Sequence, residues 1–150
     1  MEKIARNAFP GGMAGNKKIF AAPDSEIESI DYVDVKTKTV SMKDGFAFGE
    51  IQADSFEMDS GFEDGAYRHE IKCRLTATRH ALDARFDKMT RQRFVVKFID
   101  NNNNVWLAGS LSEPLIFTWR HVGKASAGEN HLYELVFRRA STEPLFATIL

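Results

Sequence analysis

At 150 residues the chain suits one domain with a substantial core, and 43% hydrophobic with 27% charged residues is the composition of an ordinary globule rather than a disordered chain. A formal net charge of -1 supplies no overall field to gather nucleic acid or anionic lipid, so binding of either would need a local patch. Cys73 is the single cysteine, which excludes an intrachain disulfide and a paired-cysteine zinc site and fits a reducing compartment.

The first residues, Met1 to Asn7, lack the apolar run of a secretion signal, and no later run approaches the roughly 18 residues that span a bilayer, so a cytoplasmic protein without membrane contact is expected. Pro10, Gly11, Gly12 and Gly15 resist regular structure and predict a flexible arm over 1–16, followed by a single β-rich domain over 17–150. Short strands are expected at 18–22, 27–35 and 38–42. An Asp44-Gly45 turn then leads into an apolar run over 46–58, where Phe46 and Phe48 share one parity and Ile51 and Ala53 the other. That slip predicts a β-bulge near Gly49. A polar connection over 59–65 follows.

The stretch 67–77 alternates almost without error. Tyr67, Ile71, Cys73, Leu75 and Ala77 take one face, while Arg68, Glu70, Lys72, Arg74 and Thr76 take the other, which is a strand of a one-sided sheet. The period then changes: Ala81, Leu82, Arg85, Phe86 and Met89 fall three and four apart, predicting one amphipathic helix at about 79–92 with Thr78 as its N-cap. Strands return at 94–99, 105–109, 115–122 and 132–139, separated by the asparagine run 101–104, by Pro114 and by a turn over 123–130. Short connections imply antiparallel neighbours, so the carboxyl half reads as a meander. The fold class expected is α+β, mainly antiparallel sheet, meander or barrel-like, with that one principal helix. Its core is expected to hold Tyr67, Ile71, Cys73, Leu75, Leu82, Phe86, Val96, Phe98, Trp106, Leu115, Phe117, Leu135 and Phe137. The apolar tail 145–150 should be buried in this core or against another subunit.

No pattern of reactive groups stands out. There is no G-x-S-x-G elbow, phosphate-binding glycine loop or calcium-loop ladder, and Cys73 falls on the apolar face of a strand, where a thiol is poorly reactive. None of His69, His80, His121 and His131 stand four apart on a helix. His80, Asp83 and Asp87 would adjoin on one helix face, but a solvated surface accounts for the same residues, and His121 and His131 read as strand-end residues. The carboxylates Glu50, Glu57, Asp59, Glu63 and Asp64 lie in or beside loops, where water keeps them ordinary. Arg85, Lys88 and Arg91 would form a basic stripe with Trp106 or Trp119 as a stacking platform, yet cations near a helix carboxyl end also offset its dipole. No catalytic residue, cofactor-binding residue or metal ligand is therefore assigned, no cofactor is expected, and nucleic acid is not an expected partner.

The late segments form a recognisable order. A helix precedes a strand ending in Asp100, an Asn turn, the aromatic-x-x-Gly strand from Trp106 to Gly109, the Pro114-Leu115 strand, a turn holding Gly123 and Asn130, and the strand Tyr133, Leu135, Phe137. This layout resembles that of small bacteriophage and prophage virion proteins over about residues 78–147, with asparagines at 101–104 where glycine is more usual. The resemblance implies a non-enzymatic structural or assembly protein, a tail or neck component forming a homo-oligomeric ring, with copies of itself and other virion proteins as partners. It implies no site residues. The alternative is a small-molecule or carbohydrate-binding β-rich module with a pocket lined by Phe and Trp, and a third reading is an enzyme using His80 with Asp83 or Asp87.

Overall fold

The computed structural model describes residues 1–5, 18–78, 80–122 and 130–150. Its strands are β1 (Lys18–Pro23), β2 (Ile27–Tyr32), β3 (Lys38–Met42), β4 (Gly49–Ile51), β5 (Ser55–Glu63), β6 (Ala66–Thr78), β7 (Arg93–Ile99), β8 (Val105–Ala108), β9 (Leu115–Val122), β10 (Asn130–Ser141) and β11 (Phe146–Ala147). Among the described residues there is one α-helix, α1 (Asp83–Met89), between β6 and β7, and one 3-10 turn at Asp24–Glu26. The strands pair antiparallel, two isolated parallel bridges at Ile4↔Ile51 and Thr37↔Ala147 aside, and the fold is α+β and mainly β. Among the described residues no helix is long and apolar enough to cross a membrane.

The alternation at 67–77 builds β6, which β10 joins over twelve positions from Asn130↔Thr78 to Ser141↔Tyr67. On its other side β10 pairs with β9, and β9 meets the start of β7 at Arg93↔Ile116 and Phe94↔Leu115. β7 carries β1 along its opposite edge, and β1 carries β4. Three residues beyond β4 the same chain becomes β5 on the outer side of β6. One continuous segment thus links both ends of the sheet and curls it into a barrel-like form, within which Phe56 of β5 and Phe98 of β7 meet at 5.9 Å between ring centroids.

The departures from the sequence reading follow from this pairing. The run 46–58 is two strands with different partners, rather than one bulged strand. A Cβ at Gly49 would collide with the Met1 carbonyl and stand 2.8 Å from the Glu2 carbonyl oxygen, so glycine serves a close backbone approach there. Residues 59–63 belong to β5 instead of a loop, because Asp64 and Gly65 both adopt positive φ (52° and 79°) and close a two-residue hairpin directly. The carboxyl half is not a simple meander: β8 and β9 share one edge of β7 in succession and do not pair with each other. Gly109, with φ of 89°, turns the chain out of β8 between the Phe94 carbonyl and Leu115.

The helix is shorter than expected. β6 pairs through Thr78, so the sheet claims that residue. The helix cap falls at Leu82, without a side-chain hydrogen bond. The arm expected over 1–16 also differs in its first residues. Ile4 is fully buried, and its amide donates to the Glu50 carbonyl (2.9 Å) while its own carbonyl accepts from Gln52 (2.9 Å). Residues 6–16 of that arm, and 123–129 of the turn expected after β9, lie outside the described residues.

The interior is an aromatic and aliphatic cluster that includes Ile71, Cys73, Leu75, Phe86, Phe94, Val96, Phe98, Leu115, Phe117, Tyr133, Leu135 and Phe137. Phe86 closes one end of it, 5.2 Å from Tyr133, 5.8 Å from Trp119 and 6.0 Å from Phe117 between ring centroids. Of the core residues expected, Tyr67, Leu82 and Trp106 are only half-buried: Leu82 is the helix cap, Tyr67 sits at the open end of β6, and Trp106 donates through Nε1 to Asp100 (3.0 Å). A second cluster occupies the outer face of β1, β7 and β8, where Ala22, Val95 and Leu107 receive Ile27, Ile30, Val40 and Met42 of the β2–β3 hairpin. The tail 145–150 is divided. Phe146 and Thr148 are buried, while Ile149 (68%) and Leu150 (66%) are exposed.

Two outcomes follow for stability. Phe86→Ala leaves a hole among three aromatic neighbours, and urea unfolding should show a loss of about 3–5 kcal/mol. Glu134, on the outer face of β10, stands opposite Arg74 of β6 and Arg120 of β9 and accepts from Arg120 Nε (2.8 Å) and Arg74 Nε (3.0 Å). The hydrogen bond from Arg120, then that from Arg74, outweigh burial and lower its pKa. A carboxylate whose folded pKa lies below its unfolded value of about 4.3 stabilises the fold above that pH and loses the contribution as pH falls through the folded value. Acid titrations followed by circular dichroism should therefore show Glu134→Gln less stable than the parent by about 1–3 kcal/mol at pH 7, the gap narrowing below about pH 4.

Candidate functional site

The antiparallel order β9–β10–β6 brings three strand ends together at the pole closed by α1. β6 and β9 finish there, β10 begins there, and α1 starts two residues after a turn in which His80 adopts a positive φ of 59° and Ala81 donates to the Thr78 carbonyl (3.0 Å). His80, Asp83, His121 and His131 therefore converge from four separate elements.

Asp83 is the hub. Its Oδ1 accepts from the Tyr133 hydroxyl at 2.6 Å, its Oδ2 accepts from His80 Nδ1 at 2.7 Å, and His121 Nε2 approaches both oxygens at 3.3 and 3.4 Å. Burial pushes the Asp83 carboxyl up, but the hydrogen bonds from Tyr133, His80 and His121 together outweigh it, and its pKa is lowered. Burial first, and donation to this carboxylate second, push the Tyr133 phenol up to about 12. The His121 ring lies 4.7 Å from Tyr133, its direct cross-strand partner, and 5.4 Å from the His80 ring. His131 stands 5.2 Å from His121 and 5.9 Å from His80 between centroids. His80, Asp83 and His121 each offer a ligand atom within 4.8 Å of the others, the one such group among the described residues.

The reading of His80 as part of a solvated helix face with Asp83 and Asp87 is thus only partly right. His80 precedes the helix, and Asp87 is engaged elsewhere, accepting from Trp119 Nε1 at 3.2 Å. His121 and His131 are strand-end residues, as read, but those ends meet. A short connection between these two strands already implies that His121 and His131 lie at the same end of the sheet; the arrival of His80 and Asp83 was invisible without the helix position.

The other candidates are occupied structurally. His69 is buried, with its Nε2 donating to the Glu143 carbonyl (2.9 Å), so its Nδ1 accepts from the Ser60 hydroxyl (2.8 Å). Arg85 of the basic stripe holds the amino-terminal backbone, donating to the Lys3 carbonyl at 3.0 Å and the Glu2 carbonyl at 2.5 Å. Trp106 and Trp119 both spend their indole N–H on aspartates, and Trp119 packs on Phe86. Glu57, Asp59 and Glu63 line the outer strand β5, Asp64 forms its turn, and Glu50 lies 3.6 Å from Lys3. A surface hollow of about 410 Å³ is lined by Arg68, His69, Glu70, Ile116, Arg138 and Arg139 and includes none of His80, Asp83, His121 and His131.

Comparison with models of known families, with curated proteins and with solved structures finds no match to this chain.

Cys73 is fully buried inside β6, and burial pushes its thiol up to about 12, with Glu134 adding to the shift. A thiol-specific reagent at pH 8 should leave it unmodified in the folded protein and label it stoichiometrically in urea; rapid labelling without denaturant would contradict this placement.

Proposed function

We propose that this chain is a non-enzymatic assembly subunit, a tail or neck component of a phage or prophage virion, made in the cytoplasm and joining copies of itself into a ring. The observation that carries the reading is the tip of the β2–β3 hairpin. Tyr32 (60% exposed), Val33 (65%) and Val35 (85%) stand in solvent at the end of an outlying two-stranded sheet, a placement that costs free energy in an isolated molecule and is recovered when a neighbour covers them.

The hairpin is anchored firmly enough to present that tip. Lys38 Nζ donates to Glu143 Oε2 (2.7 Å) and lies 4.0 Å from the Phe146 ring centroid, while the Tyr32 hydroxyl donates to Glu143 Oε1 (3.0 Å). β5 adds a second surface, since it is a nine-residue strand at the end of the hydrogen-bonded path, with Phe62 66% exposed. Of the segments that carry the virion-protein resemblance, 94–100, 106–109, 114–119 and 133–137 coincide largely with β7, β8, β9 and β10, and 101–104 lies between β7 and β8. The small-molecule or carbohydrate-binding reading asks for an aromatic pocket, whereas Phe86, Phe94, Phe117 and Phe137 pack on one another at 5.0–6.0 Å.

Size-exclusion chromatography with light scattering at tens of micromolar should show a discrete homo-oligomer. The double substitution Val33→Asp, Val35→Asp should convert it to monomer with an unchanged circular dichroism spectrum. A parent protein that stays strictly monomeric would sink the ring.

A further inference from the structure

The histidine cluster at the α1 pole has no part in that assembly reading, and it stands whether or not the ring forms. We propose that His80, Asp83 and His121 bind one divalent transition-metal ion of the zinc class, with His131 at the rim as the fourth ligand.

The donor set selects the class. Two or three imidazole nitrogens with one carboxylate suit Zn2+ and its first-row neighbours, whereas Ca2+ and Mg2+ require shells made of oxygen. The spacing suits it as well. Two ligand atoms each about 2.0 Å from a tetrahedral ion stand about 3.3 Å apart, and His121 Nε2 already lies 3.3 and 3.4 Å from the two Asp83 oxygens. His80 Nδ1 sits closer, hydrogen-bonded at 2.7 Å to Oδ2. Metal binding would replace that shared proton and let the exposed His80 ring, 58% accessible, draw back by about 0.6 Å toward tetrahedral spacing.

One further observation points to a ligand. Asp83 is oriented from behind by the buried Tyr133 hydroxyl at 2.6 Å, which leaves Oδ2 turned toward the two imidazoles; a donor of this kind behind a ligating carboxylate is the usual support of a metal site. The His121 ring packs against Tyr133 and Trp119, with Nε2 as the nitrogen facing the carboxylate. An ion here would tie the start of α1 to the ends of β9 and β10, which no covalent link does.

The test uses the full chain, stripped with chelator and dialysed, and titrated with Zn2+ alone. Calorimetry should show one saturating site per chain, and free Zn2+ at about 100 times Kd should raise Tm by about 5–10 °C. Mg2+ at the same concentration should do neither. His80→Ala, an exposed position that leaves the core intact, should weaken Zn2+ binding by about 10-fold or more, as should His121→Gln. Tyr133→Phe should weaken it by about 10-fold while keeping one site per chain. Absence of saturable binding, or full-strength binding by both histidine variants, would overturn the assignment.

Discussion

The register of β10 between β6 and β9 is the constraint on which the rest of the molecule depends. Twelve paired positions on one side and seven on the other fix which face each residue takes. A slip of one residue would turn Tyr133, Leu135 and Phe137 outward and drive Glu134 into the core. As built, the three apolar side chains are completely buried, and Glu134 lies flat on the outer face, clamped between the two arginines directly opposite it. The ion-paired triplet outside and the aromatic cluster inside thus select the same register, one by charge and the other by burial.

That register also determines what meets at the α1 pole. Because β10 is antiparallel to both neighbours, its start lies beside the ends of β6 and β9, so His131 and Tyr133 are delivered next to His121. The helix is then held over this pole by Phe86. Its first residue, Asp83, is placed against Tyr133 by the same packing that seals the core. The polar cluster and the apolar plug are two sides of one contact, and a substitution in Phe86 should disturb both.

At the opposite side of the barrel the chemistry is apolar and directed outward. β7 buries residues on both faces, Phe94, Val96 and Phe98 within and Val95 and Lys97 without. The outer pair is covered by the β2–β3 hairpin and the carboxyl-terminal segment. Lys97 pays for its burial by donating to the Ile149 carbonyl (2.9 Å) and lying 4.6 Å from the Phe48 ring centroid, and burial lowers its pKa. The hairpin is therefore fastened close to its turn, where Lys36 accepts from the Ala147 amide (3.0 Å) and Lys38 pairs with Glu143, while Val33 and Val35 stay exposed.

Local periodicity was sufficient for the strands and for most of the core. Alternation over 67–77 located β6, the asparagine run located the β7–β8 turn through Asp100, and helical spacing put Phe86 and Met89 inward. Those features are legible because they depend on side chains a few residues apart, which backbone geometry alone places on a common face. The division of 46–58 between two partners, the burial of Ile4, the double-sided burial of β7 and the shortened helix were not legible, since each is decided by which distant strand claims the backbone. The histidine cluster belongs to that second group: His80 and His121 are ordinary polar residues in their own segments, and they become a candidate site only because β10 pairs with both β6 and β9 and so brings strand ends some forty residues apart in the chain within reach of one carboxylate. The sequence by itself determined a one-sided antiparallel sheet with a single helix, through periods of two and of 3.6 residues. Only the tertiary structure decided where the ends of that sheet meet, because strand partners are chosen by long-range hydrogen bonding and core packing that no local pattern records.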